Sequence, residues 1–430
     1  QSMDNTTKAL IEDGAAVYSG ANGGLEVSSS QDIYSFEFAQ SGGESGSIGV
    51  SASIVWVDQT SNTIAQLASG VQVTGGPVNV IADDQTTHTS LAGSAQLAKR
   101  LGIGVGFALL DADRTTLALI GNRRTDEDES IGSAGTAIDV SSLNLQATST
   151  GDLWSFGLVG ALASNIPVGA PDPKNGHAGP VEATSGVALV GDAAVNTITD
   201  TTQAYINDDG TIRSGDITLT AHDDTSMSTV TGAGAVGAKP DGTIGGAFAG
   251  SFSYNDLDLT TEAFIIGPTI PHASDITLDA TSDGSILAVS AGLAGAVAKT
   301  SVTVAGSFSW NEIDNTVRAY VDRTLVQQLT NLTLNADDTS TVQADGGAAS
   351  IAISRAKDRL GGAVAFGVSA AVNNLTPAVQ AYITGSTVTD AASVVIAAGS
   401  DADVTAITWA GDVAGAASGG RGLQGTGAGA

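Results

Sequence analysis

Cysteine is absent from all 430 residues, which removes disulfide frameworks, thiolate zinc sites, thiol nucleophiles and thiol-ligated clusters together. Aromatic residues amount to 4% of the chain and charged ones to 14%, where an ordinary globular protein carries about 25% charged residues. Cations are scarcest: 16 Lys and Arg stand against 45 Asp and Glu, a formal net charge of -29. Such a balance repels a phosphate backbone and excludes nucleic acid as a partner. Nine of the acids are glutamate; the rest are aspartate, which favours turns and strand ends over helix interiors. No run of eighteen apolar residues exists, so no membrane span is expected, and Gln1 opens no charged-then-apolar leader. What is abundant is small: glycine fills 55 positions and alanine more. The chain reads as folded, small-residue-rich and β-prone.

Self-similarity is the strongest signal. The string Gln203-Ala204-Tyr205-Ile206 returns as Glu262-Ala263-Phe264-Ile265, Arg318-Ala319-Tyr320-Val321 and Gln380-Ala381-Tyr382-Ile383, with looser copies around Ala9, Ala65 and Ala118. A second box follows, as in Ile217-Thr218-Leu219-Thr220-Ala221 and Ile276-Thr277-Leu278-Asp279-Ala280. In five units its last alanine lies 17 residues after the first-box alanine. Measured between first-box alanines, the period runs 56, 53, 86, 59, 56 and 62 residues. The long value is explained by two loop insertions. One, at about 121–135, holds the charged run Asn122 to Glu129; the other, at about 165–182, holds Pro167, Pro171, Pro173 and Pro180 and cannot be a central strand.

Between the second box and the next first box lie two longer β-type segments, clearest as Ser226 to Gly237 and Thr243 to Asn255 around the turn Lys239-Pro240-Asp241-Gly242. That is hairpin-like chemistry. Nine residues before each anchor alanine stand Trp56, Leu109, Val195, Tyr254, Trp310 and Val372, and eleven before stand Ile54, Phe107, Ala193, Phe252, Phe308 and Ala370. The alternate positions are almost all Gly, Ala or Ser, with Val55 and the charged Asp192 the exceptions. A period of two with bulk on one side predicts a strand whose large side chains form the core and whose small face is approached by a second layer. The aromatic columns are thus expected inside; a sugar-stacking strip would require the small face to be the buried one. Each unit supplies about four strands that cannot bury their apolar faces alone. The expected fold is all-β: an elongated β-solenoid or β-helix of stacked 53–62-residue units in one continuous array over 1–430, with a hairpin-like strand pair per unit. Antiparallel meander modules are the structural alternative. No capping helix is visible, so more chain or other subunits are expected to cover both solenoid ends.

The Asn-x7-Ala-Tyr-Ile unit (Asn196 to Ile206, Asn255 to Ile265, Asn311 to Val321, Asn373 to Ile383) and the paired Ile-Thr-Leu-x-Ala box resemble the repeat regions of giant secreted bacterial adhesins. The likeness is to leukotoxin-type filamentous adhesins and, more distantly, to filamentous-haemagglutinin-like proteins. The resemblance spans nearly the whole chain and implies an extracellular or cell-surface β-solenoid stalk. The period departs from the short rungs of the haemagglutinin type, and no adhesive epitope carries over.

Catalytic constellations are lacking. His88, His177, His222 and His272 fall at unrelated positions without ligand spacing and are expected on loops or at the surface. Acidic pairs after the second box (Asp83-Asp84, Asp223-Asp224, Asp337-Asp338) are expected in turns, stacked in a column near one edge. A hard cation such as calcium would relieve their repulsion; the plainer reading has them capping turns in water. A polysaccharide lyase or hydrolase on a β-helix would need irregular acid and base residues on one face. Only the Arg123-Arg124 to Glu129 cluster and the 165–182 loop are irregular, and neither has an evident nucleophile and base. No residue is assigned to catalysis or cofactor binding. The sequence therefore predicts a structural stalk or filament segment whose partners are neighbouring repeats or subunits end to end, and cell-surface or matrix glycans. A carbohydrate-active enzyme and a calcium-stabilised secreted passenger are the alternatives.

Overall fold

The computed structural model describes residues 1–20, 23–124, 135–164, 185–356, 361–416 and 423–430. Every ordered element among them is a strand, and the chain alternates between two sheets. The first sheet is eight-stranded and runs in chain order: Ser2–Ile11, Ile48–Leu67, Leu101–Gly121, Ser185–Asn207, Ile244–Ile266, Thr300–Asp322, Gly362–Thr384 and Leu423–Gly429. The second is built from the intervening segments, such as Val78–Ala98, Ala137–Ser164 and Thr211–Ala238. All pairings between successive units are parallel, for example Ile48–Leu67 on Leu101–Gly121 and Ala137–Ser164 on Thr211–Ala238. The fold is a two-sheet parallel β-solenoid, and the antiparallel meander is excluded.

Register follows the repeat. Ala9, Ala65, Ala118, Ala204, Ala263, Ala319 and Ala381 stand in one unbroken ladder. The second-box alanines Ala82, Ala147, Ala221, Ala280, Ala336 and Ala398 form another. A one-residue slip would turn every apolar side chain outward, so the boxes pin the register. Under them sits the main core, with Leu67, Val80, Ile120, Leu145, Ile206 and Leu219 all buried. The expected strand pair per unit is present: its arms, Thr211–Ala238 and Ile244–Ile266, lie in opposite sheets and face each other through side chains rather than sharing backbone hydrogen bonds.

The aromatic columns stack as the counting requires, but they face the other way. Trp56, Leu109, Val195, Tyr254, Trp310 and Val372 are successive register partners, and Trp56 is 65% exposed and Trp310 39%. Ile54, Phe107 and Phe252 are exposed as well. The small face is the buried one: Ala108, Ala194, Ser253 and Ser309 have no accessible surface. The reason is the spacing of the sheets in this half of each rung. A Cβ on Gly237 would lie 2.0 Å from the Gly246 carbonyl oxygen, and one on Gly292 would lie 2.3 Å from that of Gly306. Sheets this close are filled chiefly by Gly, Ala, Ser and Thr, as in the interior cluster of Ala161, Ala188, Ala233, Ala247 and Ala294, with Val159, Val190 and Asp192 the larger members. Larger side chains are left on the outside.

Candidate interaction surfaces

Polar chemistry is concentrated inside the solenoid, as ladders along its axis. The asparagines of the repeat unit form one: Asn196 Nδ2 donates to Asn255 Oδ1 at 2.8 Å, Asn255 Nδ2 to Asn311 Oδ1 at 2.7 Å, and Asn311 Nδ2 to Asn373 Oδ1 at 2.8 Å. One amide per rung, each donating to the next, carries a buried polar column without charge; Asn196 Oδ1, at its start, has no protein donor. Tyr205, Phe264, Tyr320 and Tyr382 stack with centroids 4.6, 4.8 and 4.9 Å apart. The start of the first insertion lies across this aromatic ladder. The Arg124 guanidinium stands 5.6 Å from the Phe264 centroid and donates to the Tyr320 hydroxyl at 3.1 Å, and its backbone N–H donates to the Tyr205 hydroxyl at 3.0 Å.

The acidic pairs are not in edge turns. Asp84, Asp223 and Asp338 are fully buried and sit in a ladder that alternates acid and hydroxyl: Asp84, Ser149, Asp223, Ser282, Asp338, Ser400. Alternation doubles the spacing between like charges from about 4.8 to about 10 Å. Fully buried Arg114 on the facing sheet bonds Asp84 and Asp200, each at 2.9 Å. Desolvation opposes the Arg114 charge, but Asp200, Asp84 and Asp223 outweigh it and hold the guanidinium protonated. Desolvation and the neighbouring Asp200 push Asp223 well up, so it keeps its proton and donates to the Asp200 carboxylate. Ser61, Thr63, Thr225 and Asn315 complete the network around these acids. These carboxylates are thus committed to protein partners, and among the described residues no group of three or more His, Asp or Glu is placed to hold a metal ion.

The histidines divide. His88 is fully buried inside a strand, where successive rungs place Leu153, Met227 and Ile286, contrary to the loop or surface position expected of it. Burial lowers its pKa to about 4, so it is neutral, beside Ser35 and 3.3 Å from Glu37. His222 and His272 lie outward in strands. His177, the acidic part of the first insertion and all of the 165–182 loop lie outside the described residues.

Outside the close-packed half, the first sheet presents a broad apolar face. A shallow trough of about 470 Å³ runs along it, floored by Gly191, Gly250 and Gly306 and walled by Phe107, Phe252 and Phe308. Phe252 and Phe308 lie 5.7 Å apart and nearly parallel, so their ring faces are turned on each other. Farther along the same strands come two acidic columns that the sequence reading passed over, seven and five residues before the anchor alanines. They hold Asp58, Asp111, Asp256 and Glu312, and then Asp113, Asp258 and Asp314. Desolvation and neighbouring carboxylates raise the pKa of Asp111 and Asp258. Counting from the same anchors would have found these columns; the aromatic positions drew the count away. No protein-family model, curated protein or solved structure matches the chain.

Proposed function

We propose that the chain is a structural segment, an extracellular stalk or filament of the giant bacterial adhesin type, which acts by stiffness and self-association rather than by chemistry. The carrying observation is axial continuity. Seven anchor alanines, four asparagines and four stacked rings run rung to rung in single columns, so bending the solenoid strains hydrogen bonds and ring contacts along its length. The Asn-x7-Ala-Tyr-Ile likeness to adhesin repeats supports the extracellular address, since that asparagine is the one forming the ladder. Glycan capture by aromatic stacking gains nothing from the Phe252–Phe308 pair, whose ring faces already meet.

Electron microscopy of the purified chain at neutral pH, with and without a calcium chelator, tests the reading. Rods or filaments with an axial repeat of about 4.8 Å, unchanged by the chelator, are expected. Compact particles that cleave acidic polysaccharides would overturn it.

A further inference from the structure

The outer face of the first sheet is divided by charge. At one end of its strands the turns carry the cations Lys99, Arg100, Lys299 and Arg355 and the exposed acid Asp241; at mid-strand lie the columns of Asp111 with Asp113, Asp256 with Asp258 and Glu312 with Asp314. Between them, from Gly246 to Tyr254 and at the equivalent positions of the other rungs, every outward residue is apolar, apart from the Tyr254 hydroxyl. Six strands at about 4.8 Å and nine residues at about 3.3 Å give this strip roughly 850 Å². That exceeds the largest apolar patch of a typical monomer, about 300–600 Å², and matches the roughly 800 Å² per partner of a stable interface.

We propose that this strip pairs with the same strip of a second copy, about a two-fold axis that runs along the glycine trough parallel to the solenoid axis. This rests on the structural reading above and names the partner and the face. The charge layout selects the axis. A two-fold along the solenoid reverses strand direction but keeps the rungs aligned, so the basic turns before Leu101–Gly121 and Thr300–Asp322 meet the acidic columns of the same strands in the other copy, while Asp241 alone meets the like-charged Asp256 and Asp258. A two-fold along the strands would set cation on cation and acid on acid, which costs energy at close range. The rungs agree: Lys99 and Arg100 immediately precede the strand that carries Asp111 and Asp113, and Lys299 precedes the one that carries Glu312 and Asp314. Both members of each complementary pair thus belong to one rung, as aligned rungs require. The axis falls midway between the turns and the acidic columns, on Gly250 and Gly306, where the absence of side chains lets the backbones approach. There the Phe252 and Phe308 columns of one copy face the Phe248 and Val304 columns of the other. The result is two parallel solenoids back to back.

The absence of native cysteine permits a direct test on the full chain. Lys299 and Asp314 lie roughly 50 Å apart along one strand, so the K299C/D314C variant can bridge them only between copies. The expected result is a covalent dimer on mild oxidation of K299C/D314C, and little from K299C or D314C alone. Sedimentation should show a dimer that K299D weakens at least tenfold and that K299D/E312K/D314K restores. Dimers from the single-cysteine variants would overturn the axis. A monomer at all concentrations, or a monomer that sediments with phosphatidylglycerol vesicles, would overturn the pairing. In either case rods persisting in the microscope would leave the structural reading standing, whereas their absence would remove that reading separately.

Discussion

Asp192 occupies a column that other rungs fill with Ser53, Gly106, Ser251 and Ser307. Its carboxylate fits because Gly106 and Gly157 leave room: a Cβ on Gly157 would lie 2.3 Å from Oδ2. It accepts from the Gly232 N–H at 3.1 Å, and Oδ1 has no protein donor. Burial dominates and pushes its pKa up to about 7, above the roughly 3.9 of an unfolded chain. Between those values the folded state holds more protons than the unfolded one, so stability falls as pH rises, by up to about 1.4 kcal/mol per pH unit from this group. Asp192→Asn should abolish that part of the slope. Urea unfolding at pH 5, 6, 7 and 8 measures it, and an unchanged slope in the variant would show that Asp192 does not titrate in this range.

Each rung has one arm in each sheet, a single long strand in some rungs and a run of shorter strands in others, joined by a corner at the boxes and an arch at the opposite edge, and its two halves obey different packing rules. Near the boxes Ile, Leu and Val fill a wide interior. Near the arch the sheets close to glycine–alanine distance and the large residues move outside. Gly292→Ala should therefore destabilise by about 1–3 kcal/mol, since the added methyl meets the Gly306 carbonyl oxygen at 2.3 Å. Ala on Gly250, whose site has nothing within 4 Å, should cost no more than a few tenths of that range. Chemical denaturation of the two variants gives the comparison, and equal costs would contradict the close approach of the sheets.

At the scale of the molecule, each rung contacts chiefly its neighbours, so stability should be close to a sum of rung and interface contributions. Among the described residues Ser393–Ser400 is paired on one side, with Leu329–Asp338; its Val394, Val395 and Ile396 are 47–48% exposed, whereas central Ile217 and Leu219 are fully buried. Trp56 and Trp409 lie in rungs near opposite ends. Variants that retain only one of them should show different fluorescence midpoints in urea, at least one below the midpoint of the central sheet. Coincident midpoints would show a single cooperative unit instead.

The repeat, the all-β class and the lateral alignment of the counted columns were legible in the sequence, because in-register stacking places residues of equal offset side by side, and counting from Ala65 to Ala381 reproduces that geometry; the choice of parallel solenoid over antiparallel meander came only with the strand pairing. Which side of a column faces inward was not legible. Alternation of Trp310 with Ser309 and of Phe252 with Ser253 states that the two faces differ, but burial depends on how closely the second sheet approaches, and that distance is set by Gly237 and Gly292, whose missing side chains let the backbones of Gly246 and Gly306 come close. The same holds for the acids: Asp84 reads as a turn residue until Arg114 supplies the charge that it pairs with inside, and Asp223 until the neighbouring Asp200 carboxylate accepts its hydrogen bond. Local pattern determines period and register, whereas the choice of interior and the pairing of buried charge belong to contacts between sheets.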